Sequence, residues 1–307
     1  MFFAVLLLLL RFKSVFHFIM DIKHNKIIFT KMHGAGNDYI YLDATSSIPA
    51  NLPELAIKMS DVHFGIGSDG LVAICPSEVA DFRMRMFNAD GSEAEMCGNA
   101  SRCIGKFVYD RGLTAKTEVS LETGAGIKIL HLHVAAGVVE SVTVDMGAPI
   151  LAPDLVPVSS ASPEVRIAEL FESDDIRYEI TGVSMGNPHG VIFVDQITDR
   201  QVLVEGPRLE VAEIFPRKAN IEFVRIVDRH TIEMRVWERG TGETFACGTG
   251  ACASVVAAIL NDLVDRDAEV EVRLRGGILH IKWDPATDHV FMTGPATFVC
   301  DGVFYIY

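Results

Sequence analysis

The chain has 307 residues, which is enough for two domains of ordinary size, each with its own core. Acidic residues outnumber basic ones by 41 to 27, so the formal net charge is −14. A nucleic-acid-binding surface needs a surplus of Lys and Arg, so this charge excludes nucleic acid as an expected partner. The hydrophobic fraction of 49% and the charged fraction of 22% predict a soluble globular protein.

The first 19 residues stand apart from the rest. Phe2–Leu10 is apolar, but it is far shorter than the about 20 residues that span a bilayer. The segment also lacks the leading basic residues and the small-residue cleavage site of a signal peptide. A misassigned start with initiation at Met20, a poor signal and a membrane-surface anchor remain open. We favour the first, expect no membrane partner, and leave residues 1–19 out of the fold prediction.

After Met20 the chain is dominated by short β-branched or alternating segments bounded by Gly, Pro or Asp. We predict strands at 27–32, 39–43, 70–74, 82–87, 117–122, 126–134, 141–146, 190–194, 220–227, 231–238, 268–275, 278–283 and 290–294. We predict helices at 51–60, at 99–111 before Gly112, and at 250–264. The third helix is apolar almost all round, so we expect it to be buried on every side.

The same order of elements occurs twice: several strands, a turn with a cysteine, a buried helix and more strands. This weak duplication, with copies of about 120–150 residues, predicts an α+β fold of two similar domains. Two such domains have a cleft between them, and each would bring its cysteine turn to that cleft.

Two of the six cysteines, Cys97 and Cys247, precede a Gly and a small polar residue at a predicted helix start. The free N–H groups and the positive dipole end of a helix lower the pKa of a thiol and can bind a carboxylate. Gly98 and Gly248 let a small anion approach the backbone closely. Two thiols facing each other across a carbon could remove a proton from one side and return one to the other, with no cofactor.

The six cysteines allow other interpretations. We expect Cys75, Cys103, Cys252 and Cys300 to be small buried core residues. The spacings of Cys97 to Cys103 and of Cys247 to Cys252 do not suit zinc, and no C-x-x-C occurs, so no metal is expected. Six cysteines are too sparse for a disulfide scaffold, which favours reduced thiols and a cytoplasmic location. A Cys–His hydrolase with His189 would leave the second cysteine turn unexplained.

Several polar residues at strand ends lie in Gly- or Pro-rich turns and could contact a ligand. A carboxamide in such a turn can donate to a carboxylate and accept from an ammonium group. Each Asn could equally be a turn residue, and Arg239 beside Glu238 could form an exposed ion pair instead of holding a carboxylate. The residues in question are Asn37, Asn187, His189, Asn220, Glu238 and Arg239.

Taken together, the motifs resemble those of the diaminopimelate epimerase family, in the family's order and over nearly all of the chain after Met20. The matching stretches are Lys31-Met-His-Gly-Ala-Gly-Asn-Asp-Tyr, Phe64-Gly-Ile-Gly-Ser-Asp-Gly, Phe87-Asn-Ala-Asp-Gly-Ser-Glu, Met96-Cys-Gly-Asn, Met185-Gly-Asn-Pro-His, Glu238-Arg-Gly-Thr-Gly-Glu-Thr and Ala246-Cys-Gly-Thr-Gly-Ala. Members often have Gly-Ala after the Asn of the first cysteine motif, where this chain has Ala100 and Ser101. Both residues are small, so the helix start should be unaffected.

The resemblance implies cofactor-independent interconversion of LL- and meso-diaminopimelate, with Cys97 and Cys247 as the acid/base thiols. It implies that His189 and Glu238 assist proton transfer. The residues implied to hold the distal end of the substrate are Asn37, Asn88, Asn187, Asn220, Glu238 and Arg239. Those implied to hold the reacting carboxylate through backbone N–H groups are Gly98, Asn99, Gly248 and Thr249.

The resemblance also implies a fold of two domains, each a barrel-like sheet around a central helix, with the last strand returning to the first domain. The domains would then be 20–145 with 295–307, carrying Cys97, and 146–294, carrying Cys247. It further implies a homodimer and a role in the biosynthesis of lysine and of peptidoglycan precursors.

Two other functions compete with this one. A proline or hydroxyproline racemase would share the fold, but proline has no distal amino-acid end for the Asn residues and Arg239 to hold. A catalytically silent binding protein for diamino acids would not need both thiols. Isomerases with one cysteine or none are disfavoured for the same reason.

Overall fold

The computed structural model describes residues 26–158, 169–173 and 176–306. The apolar start of the chain and the favoured initiation at Met20 lie outside these residues. The elements of the first half are β1 (Lys26–Gly34), β2 (Asn37–Asp43), α1 (Leu52–Ser60), β3 (Gly70–Cys75), β4 (Phe82–Asn88), β5 (Glu93–Ala94), α2 (Gly98–Asp110), β6 (Glu118–Thr123), β7 (Gly126–Ala135) and β8 (Val138–Asp145).

The second half repeats this order. Its elements are β9 (Glu169–Ser173), β10 (Ile176–Ser184), β11 (Pro188–Phe193), a π-helical turn (Gln201–Glu205) that continues into α3 (Gly206–Glu210), β12 (Asn220–Asp228), β13 (Thr231–Glu238), β14 (Gly242–Glu243), α4 (Gly248–Leu260), β15 (Val270–Leu274), β16 (Gly277–Trp283), β17 (Val290–Gly294) and β18 (Thr297–Tyr305).

The strand pairing shows the same pattern in both halves. In the first half, β1 and β2 are antiparallel, β2 and β3 are parallel, β3 and β4 are antiparallel, and β4 runs parallel to β6. The strands β10 to β15 pair in the same sequence of directions. The duplication and the two-domain α+β fold predicted from the sequence are thus confirmed.

Two pairings connect the halves. β8 pairs with β17, and the last strand, β18, returns to pair with β1. The strand β9 pairs with β10 in the second half as β18 pairs with β1 in the first. The predicted domain boundaries fall after Asp145, at the end of β8, and after Gly294, at the end of β17; the division itself stays a prediction.

One helix lies at the centre of each half. α2 contacts β1, β7 and β8, whereas α4 contacts β10 to β13 and β15 to β17. The side chains of α4 are buried from Gly250 to Ile259 on all sides, as its apolar composition predicts. Its helix ends at Leu260 and not at the predicted Val264. The side chain of Asn261 donates to the Ala257 carbonyl at 2.8 Å, and Asp262 takes a left-handed φ of 57°, which ends the helix.

The sequence analysis missed several elements. β5 and β14 have only two residues each, and α3 is a single short turn, so none of the three gives a periodic signal in the sequence. The residue pattern alone did not show β18, because all its side chains are exposed or half-buried and its sequence lacks a clear alternation, although the resemblance implied a last strand that returns to the first domain. For the same reason the expectation that Cys300 is buried is wrong, because this β18 residue is exposed. Cys75, Cys103 and Cys252 are buried as predicted.

None of the helices within the described ranges is long and apolar enough to cross a membrane.

The hairpin between β15 and β16 packs against the hairpin between β1 and β2 at Gly276. A Cβ atom at this position would clash with the carbonyl oxygen of Ala35, which is backbone and cannot move aside. The equivalent turn position in the first half is Ala125, which is exposed. The glycine is thus required by the contact between the halves and not by the turn.

We expect Gly276→Ala to lower the free energy of unfolding by about 1–3 kcal/mol, because overpacking against backbone displaces one hairpin. Denaturant unfolding followed by circular dichroism measures this. The control is Ala125→Ser, which adds one atom at the equivalent exposed turn and should change stability by no more than about 0.5 kcal/mol. Equal effects of the two substitutions would contradict the inferred clash.

Candidate active site

The first cysteine turn lies at the N-terminus of α2. Cys97 is the N-cap residue, with an extended backbone (φ −139°, ψ 122°), and its thiol donates to Asn37 Oδ1 at 3.5 Å. The sulfur also lies near the backbone N–H groups of Asn99 and Ala100. The chain thus places the thiol of a half-buried cysteine at the positive end of a 13-residue helix.

The second cysteine turn has the same geometry at the N-terminus of α4. Cys247 is the N-cap residue (φ −112°, ψ 110°), and its sulfur accepts from the backbone N–H of Gly250 at 3.3 Å. The hydroxyl of Thr249 lies 3.4 Å from the same sulfur. Cys247 is buried as a whole residue, whereas Cys97 is half-buried.

The two turns meet at the side chain of Met292, which lies on β17 and is fully buried. A Cβ atom at Gly98 would lie 2.5 Å from Met292 Cε, and one at Gly248 would lie 3.0 Å from Met292 Sδ. Both glycines are therefore needed for the helix ends to approach this closely.

Asn99 links the two turns by hydrogen bonds. Its amide nitrogen donates to the Ala246 carbonyl, next to Cys247, at 3.1 Å and to Asn37 Oδ1 at 3.2 Å. Its amide oxygen accepts from the Arg102 guanidinium at 2.8 Å. Asn99 is almost fully buried, so these bonds fix one helix end relative to the other.

The expectation that the helix ends lower the pKa of the thiols is wrong for the free protein. Burial is the largest effect and raises the pKa of Cys97, although the backbone N–H groups of Asn99 and Ala100 act in the opposite direction. Burial likewise raises the pKa of Cys247 well above its ordinary value. Desolvation of the thiolate thus outweighs the helix dipole at both positions.

Charged side chains surround the two thiols unequally. Glu238 raises the pKa of both thiols, and Glu222 raises that of Cys247 further. Arg102 acts on Cys97 in the opposite direction and lowers its pKa. Both sulfurs thus respond to Glu238, and negative charge predominates around Cys247.

Glu238 lies at the end of β13 and within hydrogen-bonding reach of the Cys247 thiol. Its Oε1 accepts a hydrogen bond from the Thr244 hydroxyl. Burial raises the pKa of the Glu238 carboxyl, and the nearby Glu222 raises it further. The structure thus brings this residue next to a thiol, as the sequence analysis expects of an assisting group.

His189 is fully buried on β11. Its Nδ1 lies 2.7 Å from Glu222 Oε1, and its Nε2 lies 3.0 Å from Asn187 Oδ1. Asn187 in turn donates from Nδ2 to the Thr249 hydroxyl at 3.3 Å. His189 and Asn187 are therefore connected to the Cys247 turn through Thr249.

The remaining polar residues of the predicted site are Asn220, Arg239 and Asn88. Asn220 pairs with His189 across parallel strands, and its Oδ1 accepts from the backbone N–H of Arg239 at 2.7 Å. The Arg239 guanidinium is exposed and donates to the Arg217 carbonyl. Asn88 is exposed at the end of β4 and donates to Ser92 within its own hairpin.

Sequence reasoning missed three charged residues near the site. Asp69 accepts from Asn37 Nδ2 at 2.6 Å and could have been found, because it lies within the Phe64-Gly-Ile-Gly-Ser-Asp-Gly motif. Arg102 and Glu222 are fully buried, but their sequence neighbourhoods give no signal of this. Arg102 makes no ion pair with a carboxylate in the described part of the chain; it donates to Asn99 and to the Gly98 and Pro295 carbonyls.

Solved structures with a similar architecture include epimerases and related proteins. A hydroxyproline epimerase from Agrobacterium vitis is 13% identical, with a TM-score of 0.68, and the match covers 92% of this chain and 94% of that one. A PhzF-family phenazine biosynthesis protein from Bacillus anthracis is 20% identical, with a TM-score of 0.63, over 92% of this chain and 99% of that one. At these identities the likeness shows the fold alone, which is a two-domain α+β fold.

Sequence comparison identifies the family. The diaminopimelate epimerase family model matches residues 29–152 and 181–299. Diaminopimelate epimerases from Methanococcus maripaludis strain C5 and from Acetivibrio thermocellus are 55% and 54% identical, each over 274 residues. Those matches cover 89% of this chain and 98% and 97% of the two relatives. The chain belongs to the diaminopimelate epimerase family and is an isomerase, which confirms the resemblance drawn from its motifs.

We expect both thiols of the free protein to be alkylated slowly at neutral pH. Because their pKa values are raised, the pH midpoint of alkylation should lie above that of the same peptides in the urea-unfolded chain. Peptide-resolved mass spectrometry with iodoacetamide, scaled to each residue's plateau at high pH, measures this. Cys247 should have the higher midpoint, because two carboxylates raise its pKa whereas Arg102 lowers that of Cys97. Midpoints below the unfolded values would instead show that the helix dipole dominates.

Proposed function

We propose that this protein interconverts LL- and meso-diaminopimelate with Cys97 and Cys247 as its acid and base. The observation that supports this most directly is the meeting of two cysteine-capped helix N-termini at one side chain, Met292. Two thiols on opposite sides of one carbon are what an inversion by proton exchange requires.

In the proposed reaction the thiolate of one cysteine removes the proton from the α-carbon of the substrate. The electron pair left on that carbon is delocalised into the adjoining carboxylate. The thiol of the other cysteine then gives its proton to the opposite face of the carbon, so the stereocentre is inverted. The two cysteines exchange roles in the reverse direction, and no electron leaves or enters the protein.

The reacting carboxylate is proposed to bind the backbone N–H groups of Gly98, Asn99, Gly248 and Thr249. These groups lie in the first turns of α2 and α4, where N–H groups have no partner within the helix. Two helix dipoles ending at one point favour an anion, and they also stabilise the charge that develops on the carboxylate when the α-proton leaves.

Two further groups of side chains complete the proposal. His189 and Glu238 are proposed to assist proton transfer, which is supported by the contact of Glu238 with Cys247 and by the hydrogen bonds from His189 towards Thr249. The distal amino-acid end of the substrate is proposed to bind Asn37, Asn88, Asn187, Asn220, Glu238 and Arg239.

This set of polar residues favours diaminopimelate over proline. Diaminopimelate has a second ammonium and a second carboxylate that need binding partners, whereas proline has neither group. The exposed guanidinium of Arg239 suits a carboxylate. From the family we also propose a homodimer, a cytoplasmic location, and a role in the formation of lysine and of peptidoglycan precursors.

Proton NMR of LL-diaminopimelate with the reduced protein in D₂O tests the proposed reaction. We expect deuterium at one α-carbon together with meso product, because the incoming proton comes from a thiol that has exchanged with solvent. Exchange without inversion would mean that only one thiol acts. Deuterium exchange into proline or hydroxyproline but not into diaminopimelate would indicate a racemase. No exchange into any of the three compounds would favour a binding protein.

The variants Cys97→Ser and Cys247→Ser test the two-thiol mechanism. We expect each to lower kcat by about 10²- to 10⁴-fold, because a hydroxyl is a far weaker acid than a thiol, while substrate binding persists. Cys103→Ser, which changes a buried cysteine in the middle of α2, is the matched control. Full activity in either of the two test variants would contradict the mechanism.

A further inference from the structure

An unbroken row of hydrogen-bonding side chains leads from a buried carboxylate to one of the two thiols. Glu222 contacts His189 at 2.7 Å, His189 contacts Asn187 at 3.0 Å, and Asn187 contacts Thr249 at 3.3 Å. The Thr249 hydroxyl then lies 3.4 Å from the Cys247 sulfur. The row consists of Glu222 on β12, His189 on β11, Asn187 in the turn before β11 and Thr249 at the start of α4.

The hydrogen bonds along the row have a defined direction. Asn187 donates from Nδ2 to the Thr249 oxygen, so its Oδ1 faces His189 and needs a proton from Nε2. Since the Thr249 oxygen accepts from Asn187, its own proton is free to point at the Cys247 sulfur. When Cys247 is a thiolate, which can only accept, the row therefore ends in a hydrogen bond donated to that sulfur.

Glu222 fixes the other end of the row. Its Oε1 faces His189 Nδ1, and the contact of 2.7 Å needs a proton between the two atoms. With Nε2 also carrying a proton, the imidazole ring has only one orientation that satisfies both of its nitrogens. A carboxylate in this position orients a histidine as a carboxylate does in a catalytic triad.

The burial of Glu222 is costly and calls for a function. The side chain is fully buried, and its Oε2 has no hydrogen-bond partner within the described residues. Its Oε1 would lie only 2.7 Å from a Cβ atom at Gly250, the residue whose N–H donates to Cys247. A buried carboxylate with one unpaired oxygen lowers the stability of the folded protein, so its presence in a strand interior indicates a role other than stability.

We propose that Glu222 is a positioning residue that acts through His189, Asn187 and Thr249 to hold a hydrogen-bond donor against the Cys247 sulfur. The inference rests on the proposed function, since it assigns a role in that reaction. In this arrangement the Thr249 hydroxyl is a hydrogen-bond donor for the thiolate of Cys247. At the other turn the Cys97 thiol instead donates to the side-chain oxygen of Asn37.

Variants of Glu222 and His189 test whether the first acts through the second. We expect Glu222→Gln to lower kcat by about 10- to 100-fold, the loss expected for a buried hydrogen bond to a charged group, with KM nearly unchanged. The double variant Glu222→Gln/His189→Gln should be no slower than His189→Gln alone, because both changes break one row. Effects that multiply would overturn the proposal.

The matched control is Glu233→Gln. Glu233 lies on the neighbouring strand β13 and pairs with Arg225 at 2.7 Å, so the change removes the same charge from a place remote from the thiols. We expect it to retain wild-type kcat and KM. A loss of activity equal to that of Glu222→Gln would mean that general charge, and not the row, is responsible.

Nitrogen-15 NMR of histidine-labelled protein gives a test that needs no turnover. The signals of His189, assigned by their loss in His189→Gln, should show slowly exchanging protons bound at both ring nitrogens. In Glu222→Gln at least one of these should be lost or exchange faster. A bare nitrogen in the wild-type ring, or signals unchanged by Glu222→Gln, would contradict the proposal.

These outcomes separate the two levels of inference. If the protein does not epimerise diaminopimelate but the His189 ring is held by Glu222, the proposed function fails and the anchoring of His189 stands. If it epimerises and the ring and the kinetics are indifferent to Glu222, the role of Glu222 is refuted.

Discussion

The close approach of two helix N-termini is the constraint on which the rest of this structure depends. Each terminus carries unpaired N–H groups and a partial positive charge, so bringing two of them together is unfavourable unless other groups hold them. Met292 fills the space between Gly98 and Gly248, and Asn99 ties one turn to the other. Met292 lies on β17 opposite Val144 of β8, so one of the two strand pairs that connect the halves also supplies the contact between the helix ends.

Two buried charges lie behind the two turns. Arg102 lies under the first turn, bonded to Asn99 and to the Gly98 carbonyl, and Glu222 lies under the second, next to Gly250. Neither has a partner of the opposite fixed charge among the residues described, apart from His189 beside Glu222. Such charges are costly to bury, and they set a lasting electric field across the site. The duplication thus makes two helix ends alike in shape and unlike in charge.

The residues that sequence reasoning found and those that it missed differ in what identifies them. The cysteine turns and the ends of α2 could be predicted because glycines and helix boundaries are local signals. Glu222 could not, because an acidic residue in an alternating strand is usually exposed. Its burial follows only from the parallel pairing of β12 with β11, which sets Asn220 beside His189 and brings Glu222 within reach of the imidazole.

Arg102 illustrates the same limit on a helix. It lies one turn after Cys97 in a helix of mixed composition, and an arginine there would ordinarily reach solvent. It is buried because the second half of the molecule covers it, with Met292 of β17 as one of its contacts. The hydrophobic periodicity of a helix sequence does not show which of its residues the other half of a duplicated fold will cover.

Desolvation determines the protonation state of the two resting thiols. A helix end lowers the pKa of an exposed thiol, but each of these thiols loses more from desolvation than it gains from the dipole. The resting site therefore favours two neutral thiols. A zwitterionic amino acid brings an ammonium group beside its reacting carbon, and that positive charge favours a thiolate close to it. On the proposed function, the substrate itself would thus supply part of the charge that makes one cysteine a base.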